Sequence, residues 1–289
     1  MYLKDNKLQG LKNHFLQELS SLYDEREVEN IFHILCEDFL SIKRNEYFNN
    51  KDNRISESEI LLFHYALKDL KKNKPVQYIT GKTVFYGYNF MINEHVLIPR
   101  PETEELVYNI LQRNKNSNKS VLDIATGSGC IACSLKKENI SFSVYATDVS
   151  DNTLATAKKN SLALNTQIKY IKDDILNYNI SLYPQHVDII VSNPPYVLED
   201  DKIEMNKNVL EHEPHIALFV TNNDPLQFYK KICSLADRIL SADGEIWFEA
   251  HEKYANKIAD LLVKHHYKDI EIINDLNQKP RIVFGIKKN

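Results

Sequence analysis

The chain has 289 residues, with 36 Lys and Arg against 40 Asp and Glu, giving a formal net charge of −4. That length suits a large domain with a small companion, and the 43% of hydrophobic residues suffices for a packed core. Interspersed charges argue against a protein that grips nucleic acid through a concentrated basic surface. Four scattered cysteines exclude a disulfide framework, and no apolar run is long enough to span a bilayer. Met1–Asp5 opens no apolar leader, so a cytoplasmic, monomeric protein is expected.

Residues 1–74 carry helical periodicity. Leu8, Leu11, Phe15, Leu19 and Leu22 recur at three- and four-residue steps, as do Val28, Ile31, Phe32, Leu35 and Phe39. A third stretch, after the start signal Ser56-Glu57-Ser58, presents Leu61, Leu62, Tyr65, Ala66 and Leu70. This predicts a small helical domain without a cluster of His, Cys or acidic residues suited to chemistry. The register changes at Lys74-Pro75. Within a connector spanning 75–100, the aromatic and β-branched run Val84–Ile92 predicts a hairpin, with Gly87 and Asn89 as turn candidates.

From Pro101 to the end, 101–289, strands and helices alternate. Strands are predicted at Val121–Ile124, Ser143–Ala146, Ile168–Ile171, Val187–Val191, Glu245–Phe248, Ile270–Ile273 and Ile282–Ile286. Such alternation implies an α/β fold with an open, mostly parallel, Rossmann-like sheet covered on both faces. The short link 274–281 predicts that the last two strands form an antiparallel hairpin at one edge.

The loop Asp123-Ile124-Ala125-Thr126-Gly127-Ser128-Gly129 follows the first of these strands and opens a helix. Small residues let the backbone turn tightly and approach a ligand, and helix-start N–H groups face the cleft. Alone, such a loop is weak evidence, since a plain tight turn without a ligand can have the same composition. Asp148, nineteen residues after Gly129 at the end of the next strand, can accept hydrogen bonds from two ribose hydroxyls. Ala125 and Ser128 break the dinucleotide pattern, so the expected ligand has adenosine but no pyrophosphate; S-adenosylmethionine fits. In Asp173-Asp174-Ile175 an acid can meet the adenine amino group and Ile175 can pack on the ring, while Asp174 equally suits a solvated loop acid.

After the fourth strand comes Asn193-Pro194-Pro195-Tyr196. Ligands in open α/β sheets bind beyond the carboxyl ends of the strands, which places this segment beside the glycine-rich loop. Two prolines stiffen the backbone and remove donors, leaving carbonyls outward. The Asn193 side-chain oxygen and the Pro194 carbonyl can accept the two N–H groups of an amide or aniline-type nitrogen, while Tyr196 stacks on the planar group. Carbonyl dipoles aimed at a nitrogen that gains positive charge favour methyl transfer from a sulfonium, a reaction that needs neither a nucleophilic side chain nor a metal.

Other features read as structural. Cys130-x-x-Cys133 has no second pair, and both residues belong to a helix that packs on the sheet. His212 and His215 flank a proline that breaks any shared helix, His265-His266 reads as a solvated face, and Trp247 as core.

Together with Pro75–Gly81, Leu97–Glu104, Asp123–Ser134, Val191–Tyr196, Glu213-Pro214 with Ala217-Leu218, and Asp275–Val283, these residues resemble the HemK/PrmC family over nearly the whole chain. Its members are protein-(glutamine) methyltransferases that modify peptide chain release factors. The resemblance implies a seven-stranded class I S-adenosylmethionine-dependent methyltransferase domain behind a small helical, substrate-docking domain and a hairpin connector. It implies cofactor contacts from Ala125, Thr126, Gly127, Ser128, Gly129, Asp148, Ile175 and Asn193. Asn193, Pro194, Pro195 and Tyr196 would hold the glutamine of the Gly-Gly-Gln motif of class 1 release factors, with no nucleic acid as substrate. Two departures stand out: Ala125 replaces the usual Gly, and Ile175 replaces an aromatic of some relatives. Competing readings are a ribosomal-protein glutamine methyltransferase, a nucleic-acid adenine methyltransferase, which would have to extract its base from a stack, and a cofactor-binding module without catalysis.

Overall fold

The computed structural model describes residues 6–288, with the Glu204 side chain left aside; Met1–Asp5, read above for the lack of a leader, lie outside the described residues. The apolar spacing near the start is realised in α1 (Leu8–Leu19) and α2 (Glu25–Leu40), followed by a single turn, α3 (Tyr47–Asn50), and by α4 (Glu57–Leu70). Asp24 caps α2 by accepting from the Glu27 N–H at 2.8 Å. Ser56 and Glu59 form a reciprocal capping box at the start of α4, which satisfies backbone donors that a helix end leaves open. Phe15, Phe32 and Phe63 meet edge-on or tilted, with ring centroids 5.4–5.9 Å apart, at the centre of this unit's core.

Two details of the helical reading are corrected. The buried stripe of α4 is Phe63, Ala66, Leu67 and Leu70, at i, i+3, i+4 and i+7, whereas Leu61, Leu62 and Tyr65 are 49%, 45% and 58% exposed. At 100° per residue those three fall outside the face that Phe63 defines. Leu22 lies beyond the end of α1 and is exposed. Pro75 opens a further short helix, α5 (Val76–Thr80), closed by Gly81 in the left-handed region at φ +69°. Among the described residues, one compact unit comprises 6–81 together with Asn206–His212, and a second comprises Lys82–Met205 and 213–288. Within the first, the His212 ring reaches the Lys72 carbonyl at 2.7 Å.

The second unit begins with the hairpin β1 (Lys82–Phe85) and β2 (Tyr88–Met91). Its two-residue turn is Tyr86-Gly87, both at positive φ (50° and 76°), as the right-handed twist of a hairpin demands. Asn89 is not a turn residue: it sits inside β2, opposite Val84. The chain then runs through α6 (Pro101–Arg113), β3 (Ser120–Ile124), α7 (Cys130–Glu138), β4 (Ser143–Asp148), α8 (Asp151–Ala163), β5 (Ile168–Lys172) and β6 (Val187–Ser192). Short elements follow: β7 (Val197–Leu198), then α9 (Lys207–His212), which belongs to the first unit, and α10 (His215–Leu218) and β8 (Phe219–Val220), again in the second. The unit closes with α11 (Gln227–Ile239), β9 (Leu240–Glu249), α12 (Ala255–Lys264), β10 (Tyr267–Asn274) and β11 (Pro280–Lys287).

All seven predicted strands lie in one sheet, ordered β10-β11-β9-β6-β3-β4-β5. Pairings from β9 to β5 are parallel, and β11 runs antiparallel to both neighbours, so the expected terminal hairpin forms an edge. β3 and β6 are buried on both sides, which explains their continuous apolar runs. The strand order reverses between β3 and β6. There Ile124 pairs with Ser192, while Thr147 pairs with Ile124 on one side and Phe248 with Ser192 on the other. The residues one step further, Asp148, Ala125, Asn193 and Glu249, therefore stand in a row along the carboxyl end of the sheet. No helix among the described residues is long and apolar enough to cross a membrane.

The corrected face of α4 has a measurable consequence. Phe63→Ala, at a fully buried site, is expected to destabilise the helical unit by about 3–5 kcal/mol. Leu62→Ala should remain within about 0.5 kcal/mol of wild type in the same urea titration. Equal losses at the two positions would contradict the assigned register.

Candidate active site

The loops after β3, β4, β5 and β6 enclose a cleft of about 300 Å³. Its floor is the β3–α7 loop, where Ala125, Gly127 and Gly129 all have positive φ (59°, 56° and 79°) with Thr126 and Ser128 between them. Asp123, fully buried beneath the loop, braces it by accepting from the Thr126 hydroxyl at 2.6 Å and from the Ala132 N–H at 3.2 Å. Burial pushes the Asp123 carboxyl up to about 7, against the pull of those two hydrogen bonds. Ala125 holds the one non-glycine left-handed conformation in this loop, which costs an L-residue about 1–2 kcal/mol.

Asp148 faces the same cleft. One of its oxygens accepts from the Gly127 N–H and the other from the Ser150 N–H, each at 3.1 Å. Burial raises its carboxyl above the usual range, and the backbone donors pull the other way. Both oxygens retain lone pairs for a diol. Asp174 caps the turn that begins at Ile175, accepting from the Leu176 N–H at 2.9 Å, and Ile175 and Leu176 form an apolar wall. Phe228, from α11, lines the cleft as well. It supplies an aromatic surface that reading position 175 alone did not reveal.

Of the other residues singled out in the sequence, Ala125, Thr126, Gly127, Ser128, Asp148, Ile175, Asn193 and Pro195 all border the cleft. Gly129 is not part of that lining; it caps α7 against α8, where an added Cβ would stand 3.1 Å from the Ala157 Cβ. Pro194 is buried and, like Tyr196, lies outside the lining. The Tyr196 hydroxyl donates to Glu249 at 3.3 Å, and its ring packs edge-on to His251 at 6.0 Å. Burial, then the neighbouring Glu249 charge, pushes the phenol up. Asn193 Nδ2 donates to the Thr103 hydroxyl at 3.3 Å, and that hydroxyl donates to Glu249 at 2.6 Å.

Thr103, Glu249, Arg100, Glu213 and Phe228 were not singled out as site residues in the sequence. Thr103 and Arg100 belong to the Pro-Arg-Pro-Glu-Thr-Glu run that enters α6 with Pro101 at its first turn. Arg100 is ion-paired to the buried Glu213, which also accepts from the Ile98 N–H at 3.3 Å. Glu104 of the same run accepts from the Tyr86 N–H at 2.7 Å and so holds the hairpin turn. A usable signal for Glu249 is its place one residue beyond a predicted strand, at the end of the sheet that carries ligands. Cys130 and Cys133 are free and buried; desolvation pushes the Cys130 thiol up and the Cys133 thiol up to about 12, as expected for packing residues.

The donor set suits an adenosine-containing ligand without a pyrophosphate: a carboxylate for a diol, an apolar wall for a ring, and a tight small-residue loop. This sheet order, with its cleft at the β3/β6 reversal, defines a class I S-adenosylmethionine-dependent methyltransferase. A methyltransferase from Pyrococcus furiosus shares the fold, with a TM-score of 0.54 at 16% identity over 78% of this chain and 99% of that one. Residues 102–216 match the model of the Methyltransferase small domain, and residues 11–81 that of the PrmC N-terminal domain. The release factor glutamine methyltransferase of Flavobacterium psychrophilum is 43% identical over 96% of this chain and 98% of its own length. Those of Bacteroides thetaiotaomicron and Bacillus subtilis are 39% and 34% identical, each over 92% of this chain and over 95% and 94% of their own lengths. The chain belongs to the release factor glutamine methyltransferase family.

Relief of the Ala125 backbone tests the loop geometry. Ala125→Gly removes about 1–2 kcal/mol of left-handed strain and adds about 0.5–1 kcal/mol of chain entropy to the unfolded state. Thermal unfolding should therefore show a net stabilisation of up to about 1.5 kcal/mol, with cofactor affinity unchanged or tighter. A clear destabilisation would mean that Ala125 is unstrained.

Proposed function

We propose that this chain transfers a methyl group from S-adenosylmethionine to the side-chain amide nitrogen of the glutamine in the Gly-Gly-Gln motif of class 1 peptide chain release factors. The observation that carries the reading is the near full-length kinship with release factor glutamine methyltransferases, joined to an Asn-Pro-Pro-Tyr segment beside the adenosine-type cleft. When bound, the cofactor supplies a methyl group already activated on a sulfonium sulfur. Asp148 would hold its ribose, Ile175 and Phe228 its adenine, and the Ala125–Ser128 loop its remaining length.

Asn193 Oδ1 and the Pro194 carbonyl would accept the two N–H groups of the glutamine amide and turn its lone pair toward the methyl. Tyr196, tied down through its hydroxyl, would bound the planar amide. As the nitrogen gains positive charge, these fixed dipoles stabilise the transition state without reorganising. None of the cleft residues belongs to the helical unit, so that unit is free to dock the protein substrate, with Leu61, Leu62 and Tyr65 as its exposed apolar face. The enzyme acts as a single copy in the cytoplasm, where release factors work and where four reduced, buried thiols are at home.

Methyl transfer to purified release factor, to ribosomal protein and to DNA or RNA separates this reading from its rivals. Release factor should be modified at its Gly-Gly-Gln glutamine, and a Gln→Asn factor, one methylene shorter, should not. Asn193→Ala should lower the rate about a hundred- to a thousandfold with cofactor affinity within a few fold. Asp148→Ala should weaken cofactor binding by about 1.5–3 kcal/mol in calorimetry. Wild-type rates with Asn193→Ala, or methylation of adenine in place of the factor, would refute the assignment. For docking, Leu62→Glu with Tyr65→Glu should raise KM for whole factor and leave turnover of a short Gly-Gly-Gln peptide unchanged. An unchanged KM would remove that face from the interface.

A further inference from the structure

The Asn193 side chain is useful only in one of its two amide orientations. With Oδ1 toward the cleft it accepts an N–H; turned by 180° it presents an N–H to an N–H. Asparagine has no intrinsic preference between the two, so the surroundings must choose. Thr103 and Glu249 are 2% and 1% exposed, and the Thr103 hydroxyl lies 2.6 Å from a Glu249 carboxylate oxygen. That is the length of a hydroxyl donating to a charged acceptor. Thr103 has a single hydroxyl hydrogen, and it is committed to Glu249. Toward Asn193, 3.3 Å away, the hydroxyl can therefore offer only a lone pair, which pairs with Nδ2 and not with Oδ1.

The consequence is at the other end of the amide group. Asn193 Oδ1 accepts no hydrogen bond from the described residues, and Asn193 borders the cleft. The Glu249 backbone is itself anchored, its carbonyl accepting from the buried Tyr229 hydroxyl at 3.0 Å. The carboxylate has the Arg281 charge nearby and a second hydroxyl donor in Tyr196.

We infer that Thr103 and Glu249 are positioning residues, which act through a directed chain of two hydrogen bonds to set which end of the Asn193 amide faces the substrate nitrogen. This rests on the reading, given above, that Asn193 Oδ1 accepts an N–H of the substrate amide. Neither residue touches the reacting atoms. Their effect is on the fraction of time that Asn193 spends in the productive orientation.

Steady-state methyl transfer to purified release factor tests this in the full-length enzyme, with cofactor affinity by calorimetry as the check on folding. Thr103→Val keeps the shape and removes the acceptor, and should lower kcat by about tenfold while KM for the factor and cofactor affinity stay within about twofold. Thr103→Ser restores the hydroxyl and should recover most of the loss. Glu249→Gln offers one acceptor oxygen to two hydroxyl donors, so one of them must reverse; kcat should fall severalfold, which keeps the inference testable should Thr103→Val not fold. In the Asn193→Ala background, Thr103→Val should cost almost nothing further, because the group it orients is gone. Thr103→Val at the wild-type rate, a loss confined to KM, or full additivity with Asn193→Ala would each overturn the inference while leaving Asn193 as the substrate's partner. Asn193→Ala at the wild-type rate would overturn both.

Discussion

The geometry hangs on the pairing of Ile124 with Ser192, where the sheet reverses its strand order. The two central strands meet there in parallel, and the buried Ser192 hydroxyl donates to the Ile124 carbonyl at 2.7 Å. A parallel ladder has a period of two residues, so a slip by one would exchange the buried and the outward faces of every residue in β6. With both faces of β3 and β6 covered, that slip would put side chains shaped for one helix layer against the other. The register is thereby held by packing, and with it the level at which each strand stops. Asp148, Ala125, Asn193 and Glu249 then leave four adjacent strands side by side, and the cleft follows from where the strands end.

A site built this way is rigid because its supports are backbone and buried charge. Asp123 holds the loop from below, Asp148 ties it to the next strand, and Glu249 joins α6 to the Asn-Pro-Pro-Tyr segment. Each of these carboxyls is raised by burial and answered by hydroxyl or backbone donors, an arrangement that is stable only when its partners are all in place. Methyl transfer asks for this kind of support. The reacting groups need alignment, and a misplacement of 1 Å can cost about a hundredfold in rate.

The seven strands were readable because β-branched runs separated by helical spacing have few other uses, and the residues just after them were readable because an open α/β sheet binds ligands there. What failed was local. Asn89 has turn chemistry, yet Tyr86-Gly87 makes the turn, since the pairing of Phe85 with Tyr88 leaves only two residues to close it. On α4 the eye catches Leu61, Leu62 and Tyr65, while the core takes Phe63 and its helical neighbours, a choice made by Phe15 and Phe32 on other helices. The roles of Thr103, Glu213 and Phe228 were not legible for a related reason, although Thr103 and Glu213 lie in stretches that carry the family resemblance. Thr103 meets Glu249 across 146 positions and Arg100 meets Glu213 across 113, and no spacing rule connects residues so far apart. Ala125 was the reverse case. The sequence marked it as standing where the family usually has Gly, and the structure has it at φ 59°, in the region that favours glycine.

The return of residues 206–212 to the helical unit bears on how the protein is made. Helices α1–α5 emerge first during synthesis, yet the His212 ring that meets the Lys72 carbonyl is encoded 140 positions later. At ribosomal speeds of about 5–20 residues per second, that interval is on the order of ten seconds. For that time the nascent helical bundle lacks its final piece, and β3 through β6, which lie between, have already been translated. The helical unit is thus the first to begin folding but cannot finish before the four strands that flank the cleft exist. Its completion reports that the catalytic half has been reached, an order of maturation written into the chain by one short excursion.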